Sequence, residues 1–365
     1  MKLVFVDIAN RAYDADTPFH EPLGGTQSAA VYLATELAAL GIDVSFVNHV
    51  RAPRSSRGIN FLPADEYDVA ALDRFDIVVS LSYPFGAMAR HALGPGKPLI
   101  LWNHLATDQP QMRPLARPEE RDAWTAFAMT SNWQAAEYER VFAIPPNRMA
   151  VRRNAIAPAF LDQPVAEPWF KRGEPPTLAY TSTPFRGLNL LLIAFPTIRK
   201  AIPEARLRVF SGMSLYHGDA AADRYTSLYE LARALPGVSY EGVLAQPALA
   251  REMHDVAALT YPSLYPETSC IAALEAMASG ALVLATEFGA LPETTAGFAR
   301  LLKIEGDVFD ATNAYAAMVI AALREAEAHP DALAAHLAEQ TRRIRADYTW
   351  TARAREWRDW LTTFA

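Results

Sequence analysis

Only one cysteine, Cys270, occurs in the 365 residues. A lone thiol cannot close a disulfide within the chain, and such sparing use of cysteine suits a reducing compartment. No apolar stretch approaches the ~20 residues needed to cross a bilayer. Positive charge is not in excess: 34 Lys and Arg stand against 41 Asp and Glu, a formal net charge of −7 that gives no reason to expect a nucleic-acid partner. The 8 histidines show neither His-x3-His nor HExxH spacing. Asp14 and Asp16 form an Asp-x-Asp, but in a loop ahead of two glycines rather than after a strand, so no metal site is read. Gly-x-Gly-x-x-Gly is absent too, which counts against a dinucleotide cofactor. The opening MKLVFVD reaches an acid at Asp7 and reads as a strand rather than a signal peptide, so a cytoplasmic protein is expected.

What is present is an ordinary globular composition, 51% hydrophobic and 21% charged, over a length that suits two domains. Strand-like and helix-like segments alternate, the pattern of parallel βαβ units. In the first half, strands are expected at Leu3 to Val6, Val44 to Val47, Ile77 to Leu81, Leu99 to Trp102, Ala126 to Thr130 and Met149 to Arg152. Helices are expected from Ser28 to Leu40 and from Asn132 to Phe142. Gln163 to Pro176 is dense in proline and reads as a linker. A second βα series starts at Leu178 to Tyr180, with a helix from Leu188 to Ile202 and a strand from Leu207 to Phe210. Asn313 to Arg345 is Ala-rich helix, and Trp350, Trp357, Leu361 and Phe364 form a terminal aromatic stripe that reads as packing.

Tyr261 to Thr295, YPSLYPETSCIAALEAMASGALVLATEFGALPETT, carries the most chemical information. Two prolines keep Tyr261 to Glu267 out of a helix. Thr268 or Ser269 is then the expected N-cap, with Ile271, Leu274 and Ala278 on the buried face and Gly280 as the stop. Glu267 therefore falls where chain meets helix, and Glu275 about two turns in. Helix N-terminal amides favour anions, and carboxylates accept from vicinal hydroxyls, so the pair suits a sugar beside a phosphate. Taken alone, this spacing would describe two acids on a surface helix; the Pro-rich turn, helix, glycine and strand that follow in order argue for the site.

Other segments fit the same chemistry less specifically. Gly24 and Gly25 precede the first long helix, where amides can meet a ligand, though a plain loop explains them equally well. Ser182 to Leu188 ends a strand and opens a helix, placing Arg186 at a helix start. A cation is unfavourable there unless an anion joins it. His104 follows an apolar strand, at the edge where open α/β sheets bind ligands, and reads nearly as well as a structural histidine. Ser211, Gly212 and Met213 follow another strand.

Together these motifs resemble retaining glycosyltransferase family 4, the glycosyl transferases group 1. The resemblance covers nearly the whole chain and is most specific from Tyr180 to Glu293. It implies an α/β fold of two doubly wound Rossmann-like domains facing a cleft (GT-B), with the last helix crossing back to the first domain. The domains would be 1–165 with 348–365, on the acceptor side, and 170–347, binding the donor. It implies metal-independent transfer of a sugar from a nucleoside diphosphate sugar, a co-substrate rather than a cofactor, to a hydroxyl with retention of configuration. The acceptor would be a sugar, a lipid-linked sugar or a polysaccharide. By resemblance Glu267 and His104 contact the transferred sugar and Glu275 the ribose. Gly24, Gly25 and Ser182 line the donor site, and Gly212 and Met213 lie near the base. Arg186, matching a family lysine, would stabilise the departing diphosphate together with the helix start near Thr268 and Ser269. The chain departs from the pattern in two places. No basic residue precedes Arg186 on its strand, and Ala155 stands where a glycine usually follows Asn154. An epimerase of the same fold and a catalytically silent nucleotide-sugar binder are the alternatives. Arg51, Arg54 and Arg57, followed by Ile59, Phe61 and Leu62, read either as a contact for an anionic membrane or as a solvated loop.

Overall fold

The computed structural model describes residues 1–9, 11–214 and 223–364. The chain divides into two compact units, one built from Met1–Phe19, Leu23–Ala155 and the stretch from Thr349 onward, the other from His20–Pro22 and Ile156–Tyr348. The Pro-rich Gln163–Pro176 segment, read as a linker, lies within the second unit and holds the short helix Trp169–Arg172. The crossing falls earlier, between Ala155 and Ile156.

The first unit carries an eight-stranded sheet: β1 (Lys2–Val6), β2 (Asp43–Asn48), β3 (Arg54–Ser56), β4 (Ile59–Pro63), β5 (Ile77–Leu81), β6 (Leu99–Asn103), β7 (Ala126–Met129) and β8 (Met149–Val151). They lie in the order β3-β4-β2-β1-β5-β6-β7-β8 and are parallel except for β3. Central strands such as IVVSL and LILWN are buried along their whole length, as expected where helices cover both faces.

The β3–β4 hairpin corrects the reading of 51–62 as an irregular loop. Arg57 and Gly58 both take positive φ, 49° and 78°, and turn the chain tightly enough to pair Ser56 with Ile59. Arg54 and Arg57 pair with Asp14 and Asp16 at 3.0 and 2.8 Å, and the Arg57 guanidinium lies 3.9 Å from the Phe19 ring centre. Asp14 and Asp16 thus serve as partners of arginines. The helix Gly86–Leu93 was also not anticipated.

The terminal helix Trp350–Leu361 belongs to the first unit. Trp357 is buried with its ring 4.8 Å from that of Trp102, and Trp350 lies 6.3 Å from Tyr32, so most of the aromatic stripe does pack; Phe364 stays half-buried.

The second unit holds six parallel strands: β9 (Thr177–Thr181), β10 (Arg206–Phe210), β11 (Val238–Tyr240), β12 (Ala258–Tyr261), β13 (Leu282–Thr286) and β14 (Arg300–Leu302). Their order is β11-β10-β9-β12-β13-β14. Strand order runs outward from β9 in one direction and then resumes at β12 in the other. This makes β9/β12 the switch point, where open α/β sheets leave a crevice at the carboxyl ends. The expected long helix from Asn313 to Arg345 is two helices, Val308–Ala328 and Pro330–Asp347, because Pro330 cannot continue the first. Among the described residues no helix is long and apolar enough to cross a membrane.

Candidate active site

At the carboxyl ends of β9 and β12 the second unit gathers Ser182, Arg186, Tyr261 and Glu267. β12 ends in Tyr261, which is fully buried. The following segment to Cys270 forms neither helix nor strand, and in it Glu267 is only 3% exposed. The Tyr261 hydroxyl donates to Glu267 Oε1 at 2.7 Å and lies 3.2 Å from Ser182 Oγ. Arg186 Nε stands 3.4 Å from the same Oε1, with its guanidinium 4.8 Å from the Tyr265 ring centre. Such a nearly buried carboxylate survives only when paired and hydrogen-bonded, and here it is both.

Two glycines make this assembly possible. Gly187 takes φ +100, and a Cβ there would sit 2.1 Å from the Pro262 carbonyl oxygen. The turn carrying Arg186 therefore closes directly on the segment carrying Glu267. Gly289 takes φ +61, and a Cβ there would come within 2.6 Å of the Glu267 backbone N and O. The loop after β13 lies against Glu267, and the Ala290 N–H donates to the Glu267 carbonyl at 2.7 Å.

That bond also explains a correction. The helix carrying Glu275 begins at Ile271, not near Thr268, and its N-cap is Cys270 without a side-chain hydrogen bond. The Glu267 carbonyl is engaged by the β13 loop, and the chain stays out of helical geometry until Cys270. Thr268 and Ser269 are therefore not caps: Thr268 is buried and Ser269 half-buried beside the site.

Glu275 is buried on that helix, accepting from the Ala157 N–H at 3.4 Å, and burial pushes its carboxyl up to about 8. It is near-neutral where exposed carboxylates are charged, and can donate as well as accept. Gly212 and Met213 follow β10. The Met213 N–H donates to Asp223 Oδ2 at 3.2 Å, Tyr229 donates to the same oxygen at 2.8 Å, and Tyr240 donates to the Ser211 carbonyl at 2.7 Å.

His104, Gly24 and Gly25 belong to the first unit. His104 is half-buried with its ring 4.7 Å from that of Trp102 and both ring nitrogens shielded from solvent, and this desolvation lowers its imidazole to about 4, so it is neutral near pH 7. Gly24 is the N-cap of the helix Gly25–Ala39 at φ −62 and ψ 150, a conformation open to any residue. Among the described residues no three His, Cys, Asp or Glu side chains converge as metal ligands.

Tyr261 and Tyr265 were not singled out from sequence. The one available signal was a tyrosine, rather than a phenylalanine, closing a buried apolar strand ahead of the Pro-rich turn.

Residues 176–325, all within the second unit, match the family described as glycosyl transferases group 1. The matched segment contains Ser182, Arg186, Tyr261, Glu267 and Glu275. No curated protein matches the sequence. Among solved structures, sucrose-phosphate synthase (tll1590) from Thermosynechococcus elongatus is similar with a TM-score of 0.73 at 18% identity, covering 99% of this chain and 98% of that one. Anabaena Alr3699/HepE, solved with UDP-glucose, has a TM-score of 0.72 at 12% identity over 100% of both chains. WaaG, a glycosyltransferase involved in lipopolysaccharide biosynthesis, has a TM-score of 0.67 at 15% identity over 97% of this chain and 98% of that one. At such identities these likenesses define the fold, that of the GT-B glycosyltransferases with two parallel-sheet α/β units.

Proposed function

We propose that the chain moves a sugar from a nucleoside diphosphate sugar to an acceptor hydroxyl, with retention at the anomeric carbon and without a metal ion. The observation that carries this reading is the buried Glu267 carboxylate beside Arg186 at the β9/β12 switch point, inside the segment that matches the family. In the reaction the C1–O bond to the diphosphate breaks and the acceptor oxygen bonds to C1. The acceptor proton passes to the leaving phosphate. The protein supplies position and charge stabilisation. Glu267 holds hydroxyls of the transferred sugar, Arg186 the departing diphosphate, and Glu275 the ribose. Ser211 to Met213 lie beside the base. His104, Gly24 and Gly25 are the remaining candidates for binding the sugar, the donor phosphates or the acceptor. The first unit is assigned to the acceptor and the second to the donor, with the boundary at Ala155/Ile156 in place of the expected 165/170.

The acceptor is a sugar, lipid-linked or not, or a polysaccharide, in the cytoplasm. Pairing of Arg54 and Arg57 with Asp14 and Asp16 removes much of the electrostatic case for an anionic membrane. HepE, solved with UDP-glucose, suggests UDP-glucose as the first donor to try. A thermal-shift screen of UDP-, GDP-, ADP- and CMP-sugars tests the reading. At least one should raise the melting temperature and then be consumed in the presence of acceptor sugars, whereas no shift with any of them overturns it.

A further inference from the structure

Glu267 has two carboxylate oxygens, and its neighbours treat them unequally. Both side-chain partners, the Tyr261 hydroxyl at 2.7 Å and Arg186 Nε at 3.4 Å, engage Oε1. Among the described residues, Oε2 takes no hydrogen bond from a side chain or the backbone. The Tyr261 phenol has one proton, and the short contact to a carboxylate places it on Glu267. Ser182 Oγ, 3.2 Å from the same phenol oxygen, then donates to it. A one-way chain results, from Ser182 to Tyr261 to Oε1. It spans the switch point, since Ser182 follows β9 and Tyr261 ends β12. Tyr261 is itself fixed: its ring is fully buried and stacks 5.9 Å from that of Tyr180. Burial, reinforced by the Glu267 charge, raises the phenol well above its usual range, so the proton stays available to donate.

We infer that Tyr261 is a positioning residue that locks the Glu267 carboxylate through Oε1 and thereby dedicates Oε2 to a hydroxyl of the transferred sugar. The inference rests on Glu267 holding that sugar. Its consequence is a selective one. Tyr261 matters for the sugar end of the donor and not for the diphosphate end, whereas a residue that merely stabilised the fold would affect both.

The test compares Tyr261→Phe, Glu267→Gln and the double variant, using calorimetry with UDP and with UDP-glucose (or the corresponding pair for the donor found in the screen) together with steady-state kinetics. The expected result is that Tyr261→Phe binds UDP within about twofold of wild type. It should bind UDP-glucose several-fold more weakly, lose about tenfold in kcat, and add nothing further to Glu267→Gln. If Glu267→Gln is impaired but Tyr261→Phe behaves as wild type, or if the two losses multiply, the positioning role is overturned while the site reading stands. If Glu267→Gln matches wild type, or wild type binds no sugar nucleotide, the site reading fails and the inference falls with it. Should Tyr261→Phe not fold, Ser182→Ala tests the same chain by removing the hydroxyl that donates to the phenol. Equal weakening of UDP and UDP-glucose in that variant also overturns the positioning role.

Discussion

Arg186 Nε lies 3.4 Å from Glu267 Oε1, so the cation assigned to the diphosphate stands against the carboxylate assigned to the sugar. A positive side chain at the start of the Leu188–Ala201 helix is unfavourable without an anion, and Glu267 supplies one. Removing Arg186 therefore costs the diphosphate a charged hydrogen bond, typically ~1.5–3 kcal/mol, roughly 10- to 150-fold in affinity. Arg186→Ala should weaken UDP binding by about that much, and Arg186→Lys by less because the charge remains. Calorimetry showing unchanged affinity in the Ala variant removes Arg186 from the site.

Gly289→Ala should damage the site from behind. A Cβ there meets the Glu267 backbone N and O at 2.6 Å, and φ is +61. Strain of this kind costs ~1–3 kcal/mol. Both the melting temperature and kcat should fall, the latter because Glu267 is pushed off its hydrogen bond to Tyr261. A variant that keeps wild-type values of both contradicts the close packing of this loop on Glu267.

Glu275 and His104 predict opposite responses to pH. Burial raises Glu275 from 4.5 to about 8, so between these values the folded state keeps a proton that the unfolded chain has lost. Its contribution is fully present below about pH 4.5 and is lost as pH rises through 8. His104 is lowered from 6.5 to about 4, so across that window the unfolded chain binds the extra proton and stability rises with pH. Above pH 6.5, where His104 no longer contributes, Glu275 should make the melting temperature decline toward pH 8. Glu275→Gln, which cannot ionise, should flatten that decline. Equal slopes for wild type and variant would show that Glu275 does not titrate in this range.

Much of this was legible because a parallel sheet covered on both faces writes its strands as apolar runs. Ile77 to Leu81 and Asn132 to Phe142 were located to the residue, and the boundaries of β1, β2, β6 and β9 to within two. The Arg54–Ser56 strand escaped because it is short and polar, and its turn is Arg57-Gly58 rather than Asn-Gly. The late start of the Ile271–Ala278 helix escaped because a tertiary bond, Ala290 N–H to the Glu267 carbonyl, overrides a locally plausible cap. In the site, the types and order of Glu267, Glu275 and Arg186 could be read along the chain. The Arg186–Glu267 pairing and the hydroxyl of Tyr261 between Ser182 and Glu267 could not, because they depend on which strand lies beside β9.

Activity should survive EDTA. On the proposed reading Arg186 takes the neutralising role, and no metal-ligand spacing is visible in the sequence. Loss of turnover on chelation, restored by Mg²⁺ or Mn²⁺, would refute a metal-independent reaction.

The central claim is that Glu267 holds the transferred sugar, and kcat/KM of Glu267→Gln on the donor found in the screen tests it most directly. The neutral amide keeps the shape but leaves sugar hydroxyls under-paired, a cost of ~1–3 kcal/mol. The account predicts a kcat/KM lower by roughly 5- to 160-fold, carried mainly by kcat, with the fold intact by circular dichroism. A variant with wild-type kcat/KM would contradict it.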